Sequence, residues 1–417
     1  MKVLVLDLGS LHLGYVGCYG NDWIDTPHLD RLAAEGVVFD RHYLDGVGGL
    51  AGRYLFPPSD EPSPATSGAP QDSLKERGIY CQYLKLPSLT NDTQRLDKQF
   101  RKALAELGES ADASRTLWLS LPALSPPWQM PDEYLERYFG GEQPTLEDET
   151  DEHDQADEET EPAEASGDDE VAECPPPEPW LEPPLGPVEL DDAAWERLQY
   201  TYAAVVSHLD AQLGLLLDHL DETRLATEVV VIVTAERGLA LSEHGIIGEC
   251  RPWLHEELVH LPLLMRFPDS REAGRRVGAL TQPVDLLPTL LDLFGVPAPA
   301  GLHGYSLLPL VAGGVDKVRD YACTGLEHAG RIEWALRTLE WAFLLPVRQE
   351  VDDPPRAVQL YVKPDDRWEV NNLLQHNLEL ADQFEKTLRA CVAASRQAGP
   401  WAPLLTTPDP AALGSIQ

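Results

Sequence analysis

Between Lys2 and Leu8 the chain reads Val-Leu-Val-Leu before Asp7, a short apolar run of the kind shown by a strand covered on both faces. Thr26-Pro27 then opens a helix, with Thr26 as N-cap and Pro27 as the first helical residue. Leu29, Leu32 and Ala33 share its apolar face, and Gly36 follows its end. Val37–Tyr43 predicts a second strand, Ser88–Leu107 a helix and Thr116–Leu121 another buried strand. From Asp191 to Leu220, apolar residues including Leu198, Tyr202, Val205, Leu209, Leu213 and Leu216 recur at helical spacing. Val229–Thr234 and Leu261–Phe267 read as strands, and Pro283–Phe294 as a short helix closed by Gly295 and Pro297. Strands alternating with helices predict an α/β fold with a mostly parallel central sheet.

After Gly314 the texture changes. Glu333–Arg337, Trp341–Pro346 and Ala357–Val362 predict short antiparallel strands, and about Glu379–Ala394 a last helix. The expected division is a large α/β domain over residues 1–314 and a small α+β subdomain over 315–417. Two stretches predict no regular structure. Asp45–Asp72 is rich in Gly, Pro and Ser. Residues 140–190 have the acid- and proline-rich composition of a disordered insert or tether.

Charge sharpens this picture. The 417 residues carry a formal −38, much of it between Glu142 and Glu182, where there is no Lys or Arg. Such a surface repels nucleic acid and anionic membranes, so neither is an expected partner. The six cysteines are scattered without ligand-like spacing and read as reduced thiols. The first strand starts at once, with no leader pattern, and no stretch reaches the roughly 20 apolar residues of a membrane span. The expected location is the cytoplasm.

The segments so far resemble, in order, the signatures of the sulfatase family within the alkaline phosphatase-like superfamily. Gly17–Tyr43 (GCYGNDWIDTPHLDRLAAEGVVFDRHY) resembles the family's stretch after its first metal motif, and Ser207–Leu220 its long helix before the second. Ser242–Gly245, Arg251–Pro268 and Val284–Leu310 are similar to later signatures, and Leu360–Leu373 to its ending. The resemblance implies an αβα sandwich. It also implies a divalent cation, usually calcium, held by four Asp, Asn or His side chains beside a formylglycine made from Cys or Ser. The metal and nearby cations would neutralise a sulfate while the aldehyde hydrate attacks sulfur.

Several expected groups are missing. The Asp pair of the first metal motif is Asp7-Leu8 here, so one carboxylate is left. The best overlay of the nucleophile motif puts Gly49 where the modified residue belongs and Ala51 where its proline belongs. Only Arg53 matches, and neither Ser59 nor Ser63 restores the motif. No histidine stands near Leu124–Trp128, where the family carries one. The second metal motif is Glu236-Arg237-Gly238, and Glu249 replaces an expected lysine. A guanidinium cannot coordinate a metal. Asp7 and Glu236 are thus remnant ligands too few for a hard cation, which wants about six. Arg237 is expected to replace that cation by bridging Asp7 and Glu236, with Arg53 possible beside it. Substituting Arg237 should then strand two carboxylates and destabilise the fold.

Three functional classes follow. The leading one is a sulfatase-like pseudoenzyme with a binding or regulatory role toward a protein or small-molecule ligand, needing no cofactor. The second is a divergent hydrolase of sulfate or phosphate esters with a reassigned site, recruiting His12, His42, His244 or His255 and a divalent cation such as calcium. His12, His42 and His255 each have a structural reading, and His244, in the Glu-His-Gly turn, reads equally as structural or substrate-facing. The third is an interaction protein that works through its acidic segment. Gly46, Gly48 and Gly49 lack a following GK[ST] and read as flexible loop. Asp285 reads as a cap or structural acid near a helix start.

Overall fold

The computed structural model describes residues 1–46, 74–109, 114–122, 124–140, 178–248, 254–268, 270–298, 302–328, 330–349 and 356–395. Its first half comprises strand β1 (Lys2–Asp7), helix α1 (Pro27–Glu35), β2 (Val37–Tyr43), β3 (Tyr80–Lys85), helix α2 (Thr93–Gly108), β4 (Arg115–Ser120) and helix α3 (Asp132–Phe139). Next come β5 (Gly186–Pro187), the 30-residue helix α4 (Asp192–Asp221), β6 (Val229–Thr234), β7 (Ala240–Leu241), β8 (Ile246–Gly248) and helix α5 (Glu256–Val259). Then follow β9 (His260–Leu261), β10 (Leu263–Arg266), β11 (Arg275–Thr281), helix α6 (Leu286–Leu293) and helix α7 (Leu308–Val311). The chain continues through β12 (Ala322–His328), β13 (Arg331–Arg337), β14 (Trp341–Arg348), β15 (Gln359–Val362) and helix α8 (Leu378–Ser395).

The main sheet has the order β11-β2-β10-β6-β1-β4-β3, with β9 paired to β2. Strands β6, β1, β4 and β3 are mutually parallel, as β11 is to β2. Alternate side chains of β1 feed two cores. Leu4 and Leu6 pack toward α1, α2 and α4, while Val3 and Val5 face α6 and α7. Both faces are therefore covered, and β1 and β6 are buried along their whole length. The small sheet β12-β13-β14-β15 is antiparallel and packs its own core against α8.

The run Leu261–Phe267 departs from its expected form. Pro262 divides it into β9 and β10, and both pair antiparallel. Proline has no N–H to give the ladder, which explains the break. Helix α2 starts at Thr93 rather than Ser88, where the Asp92 carboxylate accepts the Arg95 N–H at 3.3 Å. Helix α1 begins at Pro27 as expected, but the Thr26 side chain does not cap it. The Asp210 carboxylate on α4 does so instead, accepting the N–H groups of His28 (3.1 Å) and Leu29 (2.8 Å). Of the stretch expected to be irregular, 178–190 is described and makes defined contacts. Trp180 N–H donates to Thr201 Oγ1 at 2.9 Å and Val188 N–H to the Gly245 carbonyl at 2.9 Å. The rest of that segment, 141–177, lies outside the described residues, as does 47–73. No described helix is long and apolar enough to cross a membrane.

Candidate functional site

Asp7, Ser120 and Thr234 stand side by side in register at the carboxyl ends of β1, β4 and β6. That edge of an open parallel sheet is where α/β folds place ligands. Gly9 adopts φ +69°, which turns the chain back at the end of β1. Its N–H donates to Asp7 Oδ1 at 2.9 Å. Its carbonyl accepts the N–H groups of Glu236 at 2.7 Å and Arg237 at 3.1 Å. The loops after β1 and β6 are thereby closed onto each other, with Leu11 N–H returning to the Arg237 carbonyl at 3.1 Å.

Asp7 is buried, and the Ser120 hydroxyl donates to its Oδ2 at 3.0 Å. Burial pushes its carboxyl up to about 7, against the pull of the Gly9 and Ser120 hydrogen bonds, and the Glu236 charge adds to the rise. The adjacent Leu8 is fully buried in the core. Arg237 reaches only one of the two acids expected to share it. Its Nη2 lies 3.5 Å from Glu236 Oε1, with both side chains more than a third exposed, whereas Asp7 takes Gly9 and Ser120 as its partners. The three-way bridge is therefore not formed. Burial favours the protonated form of Asp7, and the Gly9 and Ser120 donors engage its two oxygens in place of a guanidinium.

The third residue of the second motif is fixed by packing. A Cβ on Gly238 would come within 1.9 Å of the Glu257 carbonyl oxygen, so the loop after β6 and the start of α5 can meet only at glycine. Where a histidine was sought after β4, Leu124 N–H donates to Ser10 Oγ at 2.9 Å and Trp128 Nε1 to the Leu124 carbonyl at 2.7 Å. Trp128 itself is buried against Tyr202. Gly49, Arg53 and Glu249 lie outside the described residues.

The four candidate histidines divide. His42 is fully buried in β2 beside Thr281, and burial pushes it down to about 3. His12 is buried in the loop after β1. Its Nδ1 accepts the Gly14 N–H at 3.0 Å, so its Nε2 carries the proton that Glu243 Oε1 accepts at 2.8 Å. With both ring nitrogens engaged, His12 has none left to serve as a base. His244 and His255 stack with centroids 3.7 Å apart. His244 Nδ1 donates to Glu257 Oε1 at 2.8 Å and Nε2 to the Glu369 carbonyl at 3.3 Å. Burial opposes its charge, but Glu257 and then Glu369 raise it to about 9, leaving a cation at the cleft edge. His255 Nδ1 pairs with Glu369 Oε2 at 2.9 Å.

Behind this pair lies a feature that no sequence pattern announced, a buried seam of charge joining the two sheets. Glu369 Oε1 accepts from Arg337 Nη2 at 2.7 Å and Lys363 Nζ at 3.2 Å. Glu256 lies 3.2 Å from Lys363 Nζ and 2.8 Å from His260 Nδ1. Burial works against the Glu369 charge, but Arg337 holds the carboxyl well below the usual range, and the His255 hydrogen bond and Lys363 add to this. Its backbone sits at φ +58°, in the left-handed region. The spacing of these residues across 113 positions (256 to 369) explains why pattern reading missed them.

Among the described residues no three His, Cys, Asp or Glu side chains converge as metal ligands. The two remnant acids do not fit a calcium-type centre. Asp7 has both oxygens engaged by neutral donors, and Glu236 lies beside a guanidinium.

The sheet and its covering helices have the alkaline phosphatase-like fold, as solved structures that share it show. The sulfatase family model matches residues 63–296, more than half of the chain, and the C-terminal model of N-sulphoglucosamine sulphohydrolase matches 242–394. The chain belongs to the sulfatase family. It is 27% identical over 190 residues to an N-acetylglucosamine-6-O-sulfatase of Bacteroides thetaiotaomicron, covering 43% of this chain and 33% of that protein. It is 37% identical over 109 residues to arylsulfatase K of Homo sapiens, covering 26% and 20% respectively. The chain thus spans about a third or less of the length of these relatives. Two solved structures share the fold. One is a complex with its substrate D-glucosamine-2-N,6-O-disulfate (TM-score 0.70, 16% identity, 95% of this chain and 98% of that one). The other is the phosphonate monoester hydrolase of Agrobacterium radiobacter (0.63, 17%, 94% and 96%).

Proposed function

We propose that this member of the sulfatase family is a pseudoenzyme that binds or regulates rather than hydrolyses. One observation carries the proposal. At the position of the second metal motif Arg237 pairs with Glu236, while Asp7 is satisfied by Gly9 and Ser120. A cation placed there would face a fixed positive charge and carboxylate oxygens already engaged. Gly49 at the nucleophile position of the sequence adds that no side chain is present to be oxidised or to attack. In this reading the chain works in the cytoplasm on a protein or small-molecule partner, apart from nucleic acid and membranes. The competing reading is a hydrolase of sulfate or phosphate esters with a reassigned site, and the hydrolases among its relatives support it.

The two separate in one experiment. The full chain is dialysed at moderate salt, analysed for calcium, magnesium, manganese and zinc, and assayed on 4-nitrocatechol sulfate and 4-nitrophenyl phosphate. Metal well below one per chain with no turnover is the expected result. Stoichiometric metal accompanied by turnover would overturn the proposal and establish the hydrolase.

A further inference from the structure

Beside the loop that follows β1, four aromatic rings meet at the surface. Trp23 lies 6.0 Å from Tyr138 and 6.0 Å from Tyr200, and Tyr200 lies 6.0 Å from Phe139. They come from the loop before α1, the end of α3 and the first third of α4. Trp23 is 46% exposed, which leaves much of a large indole in water. Its loop is nevertheless built to hold it there. Asn21 Oδ1 accepts the N–H groups of Trp23 (3.1 Å) and Ile24 (2.8 Å), and Asn21 Nδ2 donates to the Gly14 carbonyl at 2.7 Å. The Tyr138 hydroxyl is tied to Ser207 Oγ at 2.7 Å. The rings are therefore set in place before any partner arrives.

Carboxylates border them. Glu196 lies one turn before Tyr200 on α4, where residues four apart share a helix face, and Asp25 follows Trp23 by two residues in the same loop. One cation, Arg137 on α3, stands over the Tyr134 ring at 5.1 Å and also acts on Tyr138, against two acids beside the four rings. Ring faces edged by carboxylates attract cations through both the ring quadrupole and the fixed charge. The patch also continues inward. Trp23 meets Tyr15 at 6.0 Å, and Tyr15 meets His12 at 5.0 Å, which pairs with Glu243.

We propose that Trp23, Tyr138, Phe139 and Tyr200, with Asp25 and Glu196, form a docking surface for an arginine-rich segment of a basic protein partner. Charge complementarity selects this occupant, since the chain carries −38 and acids edge the rings. Arginine suits it better than lysine, because a planar guanidinium stacks on rings while still reaching a carboxylate. The proposal goes beyond the pseudoenzyme reading and does not depend on it, since a partner could dock here whether or not the cleft turns over.

The test is titration of a fluorescent, acetylated and amidated octa-arginine peptide into the full-length chain at physiological salt. An octa-lysine peptide is run in parallel, with circular dichroism to check that each variant is folded. Trp23→Ala and the pair Asp25→Asn/Glu196→Gln should each weaken octa-arginine binding at least tenfold. Trp23→Phe should restore most of the affinity, and octa-lysine should bind more weakly than octa-arginine throughout. Equal binding by wild type and Trp23→Ala would overturn the proposal, because attraction would then come from the acidic surface at large. So would no binding, or binding of uncharged maltohexaose in place of the peptide that Trp23→Ala abolishes. Because binding alone is read, these outcomes leave the metal and turnover result untouched.

Discussion

Arg237 shows how far a single residue's role can be taken from its neighbours in sequence. Its adjacency to Glu236 was enough to foresee their pairing. Its distance from Asp7 was not, because that depends on how the Gly9 turn directs the end of β1. Since Arg237 is about a third exposed, Arg237→Met is expected to change stability by less than about 1 kcal/mol in urea denaturation, as for other surface pairs. Arg337 is the opposite case. It is fully buried between Glu369 and Glu256, and its replacement by Met leaves two buried carboxylates to share Lys363 as their remaining permanent cation, which is expected to cost about 3–5 kcal/mol by the same measurement. His244 supplies a pH signature. Its folded-state value, about 9, lies above its ordinary 6.5, so its contribution is complete below pH 6.5 and lost as pH rises through 9. Melting temperature should fall across that interval, and His244→Asn should flatten the fall.

At the scale of elements, patterns that depend on neighbours along the chain were legible and those that depend on partners were not. The Val229–Thr234 strand was read to the residue because an unbroken apolar run needs no knowledge of what covers it. Strands β3 and β11 were missed. Both lie at sheet edges, where exposed and buried positions mix, and β11 opens with two arginines. The short helix α3 was missed because it buries little beyond Tyr134. The cap of α1 was assigned to the nearest suitable side chain, Thr26, yet it comes from Asp210, 182 positions from His28. Asp210→Ala should therefore speed hydrogen exchange at the His28 and Leu29 amides and cost about 1–2 kcal/mol, as loss of a cap does. Unchanged exchange there would show that Thr26 can take over.

For the molecule as a whole, the ordered run of family signatures made the fold legible, while the sequence reading of the site named family groups it expected and did not find. The His12–Glu243 pair and the stacked His244 and His255 join residues from distant segments and leave no local pattern. A formal −38 spread over one chain also works against compactness. Adding sodium chloride from about 10 to 300 mM should therefore raise the melting temperature through screening, with the Debye length falling from about 30 Å to well under 10 Å. A fall would show that attractive surface pairs outweigh this repulsion.

The seam of Glu256, Arg337, Lys363 and Glu369 also governs which sequence changes the protein can survive. Glu236 and Arg237 are more than a third exposed, so folding alone leaves both free to vary. At the seam, a single replacement strands its partners, so any change must come in compensating sets or not at all. In a library of single substitutions selected only for folding, Glu236 and Arg237 should be permissive positions. The seam should tolerate almost nothing.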